Sequence, residues 1–292
     1  MPEARWHEWV RSLGVVVALA TCLACGAGPS ASAAPPRPRT VDLSEPGAVK
    51  ATLQPGEWVE GRIRFAGMVV ARGRAWVASA RGRGSAVELH LEGHSTGLVA
   101  QFRRAVMHKV TIVDSETGFP RRYRNDVELG SKQRRYDVFF GPGRFRYEFS
   151  RSYDRTVRGV ARLPTGQRAH DAFSAVLMVR GWHPHPGTRG RLYLAVERRL
   201  WQVDVVCEGP VQLVQDRKAV RAVAYSGLAK KLHPKPHLRI ERRFRVWFSD
   251  DVRHLPLRAV VETRYGEVEL ELVSYSPSNP PTQRDGSHAS TW

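Results

Sequence analysis

A hydroxyl, two carboxylates, a guanidinium and an imidazole occur together in residues 249–254 (SDDVRH). Groups of these types act as nucleophile, acid and base in hydrolases. A catalytic triad, however, needs its members to converge in space around a base that a third group orients, and adjacency in one turn does not deliver this. We expect Ser249, Asp250 and Asp251 to cap backbone amides where a strand ends, with Arg253 paired to a carboxylate. We therefore predict no catalytic residues, and a hydrolase that uses this turn is an alternative.

Metal ligation is a second candidate chemistry. Side chains that zinc accepts as ligands are present at His170, Asp171, His183, His185, His233 and His237. Their spacing matches no established ligand motif, and a proline-bounded surface loop explains residues 183–185 better than a metal site does. We predict no metal site and no cofactor.

Arginines interleaved with aromatic residues form the third candidate site, for anions. The residues concerned are Arg121, Arg122, Arg124, Arg134, Arg135, Arg242, Arg243 and Arg245. Such clusters bind single-stranded nucleic acid in some proteins, and they would equally suit lipid phosphates or acidic polysaccharide. The alternative is a solvated outer face of a sheet with aromatic residues such as Phe244 turned inward.

The overall charge supports either interpretation. The formal net charge is +18, and 39 of the 46 basic residues are arginine. Arginine is favoured where planar pairing with phosphate or carboxylate is useful, but a GC-rich genome gives the same bias without selection for binding. The charge therefore bears on partners and not on the fold.

The elements that must position these residues are mostly strands. Apolar and charged residues alternate with a period of two over 59–65, 87–92, 144–149 and 267–272, the pattern of a strand with one buried face. Turn signals at short intervals separate such segments: 82–85, 93–96, 141–143, 164–166, 208–210 and 265–266. We predict a mostly β fold, an antiparallel sheet folded into a sandwich, a half-barrel or a roll. Its apolar faces would line either a packed core or a lipid-sized cavity.

One segment has the spacing of a helix. In residues 171–182 the apolar residues Ala172, Ala175, Val176 and Val179 recur at helical intervals, and Asp171 can cap the start. We therefore predict one short helix here, which Gly181 and Pro184 would end.

The first residues predict export. Leu13 to Ala24 is an apolar run of twelve residues that follows Arg5 and Arg11, too short for the roughly 20 residues of a membrane-spanning helix. A small-residue site at 31–33 predicts cleavage after Ala33 by a signal peptidase. The mature protein would lie in the periplasm or outer envelope, where nucleic acid is the less available polyanion.

The cysteines allow an alternative N-terminus for the mature protein. Cys22 and Cys25 each follow residues that resemble a lipoprotein signal, so lipidation at either would tether the chain to a membrane. Only Cys207 lies in the predicted domain, which excludes a framework of internal disulfides. We predict a signal peptide over 1–33, a proline-rich linker over 34–55, a β-rich domain over 56–275 and a disordered tail over 276–292.

Four segments together resemble a family of bacterial exported proteins, the domain of unknown function family 3108. They are a strand pair at 56–73 (GEWVEGRIRFAGMVVARG), a helix at 171–181 (DAFSAVLMVRG), a strand pair at 191–209, and 244–257 (FRVWFSDDVRHLPL) with Gly266-Glu267-Val268 after it. The resemblance covers roughly Glu57 to Tyr275, although the stretch from Gly97 to Ser150 is richer in arginine than the family pattern.

The resemblance implies a mostly β fold, a curved antiparallel sheet in the form of a half-barrel or β-roll with one short central helix, and no established activity. We expect a non-catalytic binding or structural factor for an envelope lipid or polysaccharide. A basic module for polyanions and the hydrolase above are the alternatives.

Overall fold

The computed structural model of the protein describes residues 40–45, 54–80, 85–152, 155–233 and 240–278. Within them sixteen strands form a single sheet: β1 (Thr40–Asp42), β2 (Trp58–Phe65), β3 (Met68–Ser79), β4 (Ala86–Ser95), β5 (Ala105–Asp114), β6 (Pro120–Leu129), β7 (Lys132–Gly141), β8 (Arg144–Arg151), β9 (Arg155–Arg162), β10 (Ala169–His170), β11 (Arg189–Val196), β12 (Arg199–Gln215), β13 (Lys218–Lys231), β14 (Glu241–Ser249), β15 (Pro256–Thr263) and β16 (Gly266–Ser276). Two helices lie against this sheet, α1 (Gly97–Phe102) and α2 (Ala172–Gly181).

The sheet consists of two antiparallel meanders, β2 to β9 and β11 to β16. Antiparallel pairing of β16 with β2 joins them, with Leu270 opposite Ile63 and Leu272 opposite Gly61. The short strands β1 and β10 both pair with β11 in parallel. The turn predicted at 265–266 is confirmed, because it connects the antiparallel strands β15 and β16.

The sheet curls strongly on itself. Strands β6 to β8 lie near one end of the strand order and β11 and β12 near the other. Their apolar side chains nevertheless pack in one cluster, in which Tyr136 and Phe145 lie with Tyr193 and Leu200. The predicted mostly β, curved antiparallel sheet is confirmed.

Helix α2 occupies the inside of the curve. Asp171 is its N-cap, as predicted: the carboxylate accepts a hydrogen bond from the backbone amide of Ser174, and the Ser174 hydroxyl accepts one from the Asp171 amide. Met178 and Val179 are buried against strands β11 to β16 in the main apolar cluster. An apolar helix of this kind is stable because sheet surrounds it.

Two predicted turns are instead parts of strands. Residues 208–210 lie inside β12, where the pairing with β13 shifts between Cys207 and Gly209 in a β-bulge. Gly209 adopts a φ of 99°, which glycine tolerates at a bulge, so the strand continues past the glycine and proline. The turn predicted at 93–96 also begins later, since β4 continues to Ser95. The turn predicted at 82–85 lies mostly outside the described residues.

The predicted linker boundary was partly wrong. Thr40 to Asp42 form β1, and the following Leu43 is fully buried in the main apolar cluster. Burial of the Leu43 side chain removes its apolar surface from water and stabilises the fold, so the chain is already packed at this point. At the other end β16 continues to Ser276, and the rest of the predicted tail beyond residue 278 lies outside the described residues.

Candidate functional site

A cavity of about 210 Å³ lies between helix α2 and strands β2 to β7. Beside it, Leu177 of the helix packs in a small apolar cluster with Val77, Val87, Leu89 and Val113 of β3 to β5. The helix contributes Phe173, Val176, Leu177 and Arg180 to its wall. The sheet contributes mostly apolar residues, among them Val59, Ile63, Val70, Leu89, Leu91, Met107, Val127 and Leu129. The apolar face of β2, which the sequence assigned to either a core or a cavity, therefore lines a cavity.

A row of glycines makes this space. Gly61 of β2 pairs with Gly73 of β3, and Gly73 pairs with Gly93 of β4. The row continues into Met107 and Val127 on the next two strands. Three neighbouring strands thus have no side chain at the level where the cavity lies, and the sheet can also bend more sharply there.

Two buried ion pairs hold helix α2 at the cavity side. Nη1 of Arg180 lies 2.7 Å from Oε1 of Glu57, and both side chains are more than nine-tenths buried. Near the start of the helix, Nζ of Lys109 lies 2.5 Å from Oδ2 of Asp171, which also accepts a hydrogen bond from the Thr111 hydroxyl.

The charge of Asp171 is stabilised locally. Its burial alone would raise the pKa, but the Lys109 ammonium and the amide and hydroxyl of Ser174 together hold the pKa of Asp171 below its ordinary value. The Lys109 ammonium also lies 4.4 Å from the centre of the Tyr123 ring, which compensates for part of its lost hydration.

Arg180 connects three of the segments that carry the family resemblance. It belongs to the helix segment, Glu57 to the first strand pair, and the backbone carbonyl of Arg253 in the 244–257 segment accepts a hydrogen bond of 2.6 Å from Nε of Arg180. Arg180 and Glu57 also line the cavity, so these segments meet at its wall.

The Ser249-Asp250-Asp251 turn has the geometry of a cap. Oγ of Ser249 donates to Oδ1 of Asp251 at 2.7 Å and accepts from the Leu255 amide. The same Asp251 carboxylate accepts from the amides of Arg253 and His254 and pairs with the Arg253 guanidinium. Asp250 pairs with Arg221 instead.

His254 is turned away from the Ser249 hydroxyl. Its Nδ1 donates to the backbone carbonyl of Ser249, and its Nε2 lies 3.0 Å from the Tyr225 hydroxyl. Burial, together with the neighbouring His183, lowers the pKa of His254 to about 4. The imidazole therefore does not contact the Ser249 hydroxyl, and the Asp251 carboxylate that does is already bonded to two backbone amides and a guanidinium. A neutral His254 serves packing, since it stacks on Phe248 at 4.8 Å.

The other candidate metal ligands are dispersed. His170 is buried and stacks on Phe119, Asp171 pairs with Lys109, and His183 contacts His254 by its ring edge. In the described part of the chain, no three histidine, cysteine, aspartate or glutamate side chains converge on a point that could hold a metal ion. His237 lies outside that part.

Five of the eight candidate anion-binding arginines face acidic residues of the protein itself. The pairs are Arg121 with Asp114, Arg122 and Arg124 with Asp137, Arg135 with Asp126, and Arg245 with Glu208. Arg134 is buried in the cavity wall, Arg242 is half-buried and Arg243 is exposed. The clusters form one part of a network of ion pairs on the sheet, which reduces the charge available to an external anion.

The predicted export signals cannot be placed in the fold. Cys22, Cys25 and Ala33 lie outside the described residues. Neither helix of the described part is long and apolar enough to cross a lipid bilayer.

The sequence model of the family DUF3108, proteins of unknown function, matches residues 61–273. The chain belongs to this family. No curated protein has a significant match to it.

A solved structure shares the fold. It is a β-barrel-like protein of the family DUF1849 from Brucella abortus, which aligns with a TM-score of 0.50 and 12% identity, over 77% of this chain and 98% of its own. A protein from Bacteroides fragilis, classed as exported and with a YmcC-like fold, aligns with a TM-score of 0.34 and 7% identity, over 78% and 99% of the two chains. A protein from Parabacteroides distasonis, classed as a lipoprotein, aligns with a TM-score of 0.34 and 8% identity, over 78% and 98%.

Sequence reasoning missed the residues that define the cavity. Arg180 had a visible signal, because it is the one charged residue in the apolar segment 172–181. The glycine row had none, because Gly61, Gly73 and Gly93 become neighbours only through the register of three strands.

Proposed function

We propose that the protein is an exported cell-envelope protein that binds an acyl chain of an envelope lipid in the cavity between α2 and β2 to β7. The observation that carries the proposal is an apolar space of about 210 Å³ inside a fold whose other half is densely packed. Protein interiors normally close around such a space, because the walls of an empty cavity lack van der Waals partners and the protein is less stable for it. A space that a glycine row keeps open is best explained by a ligand.

The volume limits what the ligand can be. A dry apolar cavity of about 150 Å³ is enough to hold benzene, whereas whole drug-sized ligands occupy pockets of about 300–1,000 Å³. The cavity, at about 210 Å³, therefore suits part of one hydrocarbon chain, with the polar remainder of the lipid outside. Lining by Leu91, Met107 and Val127 matches such a chain, since each is apolar and only half-buried.

Export is part of the proposal and has separate support. The apolar run Leu13 to Ala24 and the small-residue site that ends at Ala33 support a periplasmic or outer-envelope location. Lipidation at Cys22 or Cys25 would add a membrane anchor. N-terminal sequencing and intact-mass measurement of the exported protein distinguish the two starts.

The experiment measures bound lipid directly. Protein purified from the envelope is extracted with organic solvent, and lipid per protein is determined by mass spectrometry. We expect lipid in the native protein and about tenfold less in Gly93→Leu, whose side chain would extend from a position with only ordinary contacts to Arg72 and Met107 into the cavity. Gly141→Leu, on β7 and with equally open surroundings, is the matched control and should retain lipid.

Two results would refute lipid binding. One is native protein that carries no lipid. The other is Gly93→Leu that is folded and carries as much lipid as the control. In the described residues nothing favours the polyanion or hydrolase alternatives over this proposal, since five cluster arginines are ion-paired and the Ser249 hydroxyl does not face His254.

A further inference from the structure

Three large apolar side chains are exposed at one end of the molecule. Phe102 is 82% exposed, Leu98 60% and Met68 54%. Leu98 and Phe102 lie four residues apart on α1, so they share a face of that helix. Met68 begins β3, and the Thr96 amide just before α1 donates to the carbonyl of Val70 on the same strand. Clustered exposure of this kind marks an interaction surface more than single exposed residues do.

This apolar end adjoins the cavity. Helix α1 belongs to the connection between β4 and β5, and its Val99 is part of the cavity wall. The two residues on either side of the connection, Ser95 and Ala105, also line the cavity. The exposed face of α1 thus lies over the space that we propose for the acyl chain.

Helix α1 is weakly held in place. None of its residues is buried, and its N-cap Thr96 makes no side-chain capping hydrogen bond. A short helix with so little packing opens at low free-energy cost.

Basic residues follow directly after the apolar face. Arg103 and Arg104 come immediately after Phe102, and the Arg104 side chain is exposed. Apolar side chains beside arginines match the boundary of an anionic bilayer, where the apolar groups enter the acyl region and the guanidinium groups meet the phosphates.

We propose that α1 and the start of β3 form a docking surface for an anionic lipid bilayer. Met68, Leu98 and Phe102 enter the bilayer boundary, and Arg103 and Arg104 contact the headgroups. The inference extends the proposed function, because docking at this end brings the cavity to the source of its acyl chain. The two proposals can still fail separately.

The test is co-sedimentation with vesicles. The exported protein, with Cys22→Ser and Cys25→Ser to remove any lipid anchor, is mixed with vesicles of phosphatidylethanolamine and phosphatidylglycerol, or of phosphatidylcholine alone. We expect binding to the anionic vesicles that weakens with salt. The double variant Leu98→Ser/Phe102→Ser should bind at least about tenfold more weakly, because it loses two large apolar side chains whose transfer from water is favourable.

The controls distinguish binding through this surface from non-specific adsorption to vesicles. Val252→Ser removes an apolar side chain that is 96% exposed in the β14–β15 turn. This turn lies near the beginning of β2, at the end of the molecule opposite to α1, so the variant should bind like the parent. Arg104→Glu should reduce binding to anionic vesicles only. Equal binding by the parent and the folded double variant would overturn the docking surface, as would no binding by the parent to anionic vesicles. Lipid in the extracted double variant would leave the proposed function standing.

Discussion

Strands β11 to β16 meet helix α2 with large, fully buried side chains, whereas strands β2 to β7 meet it partly across a cavity and partly through a small apolar cluster around Leu177. On the first side Trp201, Phe244 and Phe248 are at most 2% exposed and fill the space to the helix. On the second side the helix is held by two buried ion pairs, Lys109–Asp171 and Arg180–Glu57, and by the burial of Leu177 against β3 to β5.

The difference separates two ways to position one helix. Apolar packing stabilises the helix by filling the space around it. An ion pair positions the helix through a few atoms and leaves the space beside them open. The ion pairs, together with the buried Leu177, therefore keep the helix in position beside an open cavity.

Truncation of a large apolar side chain to alanine should lower the stability far more on the packed side than beside the cavity. Phe244→Ala should lower the free energy of unfolding by about 4 kcal/mol, because Phe244 is fully buried and its removal leaves a new void. Met107→Ala, beside the cavity, should cost about 1 kcal/mol, since the space next to it is already open. Urea denaturation of both variants measures this, and similar losses would mean that the two sides are packed alike.

Removal of one partner of a buried ion pair should loosen the helix. Lys109→Met leaves the buried Asp171 carboxylate without its cation and should cost about 3 kcal/mol. The control is Arg158→Met, which breaks the exposed pair with Glu148 and should cost about 0.5 kcal/mol. A small effect of Lys109→Met in the same denaturation assay would contradict the role given to the ion pair.

An added methyl group should destabilise the packed side and be tolerated beside the cavity. In Gly227→Ala the new Cβ would overlap the Asp204 carbonyl oxygen and lie 2.5 Å from Cζ of Phe244, so we expect a loss of about 2 kcal/mol. In Gly93→Ala the nearest atoms are at 3.6 and 3.8 Å, and a change between zero and a gain of about 1 kcal/mol is expected. Thermal unfolding distinguishes the two, and a comparable loss in Gly93→Ala would argue that its neighbourhood is full.

The packed side should also respond to acid through His254. Because burial lowers the folded-state pKa of His254 to about 4, its stabilising contribution is complete above the unfolded-state pKa of about 6.5 and decreases as the pH falls towards the folded value. Stability should drop by about 1 kcal/mol from about pH 7 to about pH 5.5 for this group alone. His254→Gln should remove that part of the pH dependence, whereas His94→Gln, on an exposed residue of β4, should retain it. An unchanged slope in His254→Gln would contradict the assignment.

The sequence was sufficient for features whose cause is local. The alternation over 59–65 and 267–272 predicted β2 and β16, and the apolar spacing after Asp171 predicted α2 with its cap. The cap at the Ser249 turn was also predictable, because a hydroxyl and a carboxylate bond the nearest backbone amides wherever the turn lies.

Features that depend on distant pairing were not accessible in this way. The same glycine–proline signal marks a turn at Gly141-Pro142-Gly143 but a bulge at Gly209-Pro210, and only the partner strand β13 decides between them. Helix α1 was not predicted, since six residues with no buried face leave no periodic pattern. The choice between core and cavity required the cross-strand register.

The pairing of β16 with β2 has a consequence for the order of folding. Its partners are separated by about two hundred residues, and closing so long a loop is entropically costly and slow. During synthesis β2 to β9 emerge first, so β2 must stay an open edge until the last strand arrives. A chain truncated before Gly266 would keep that edge permanently exposed, and we expect such a product to aggregate.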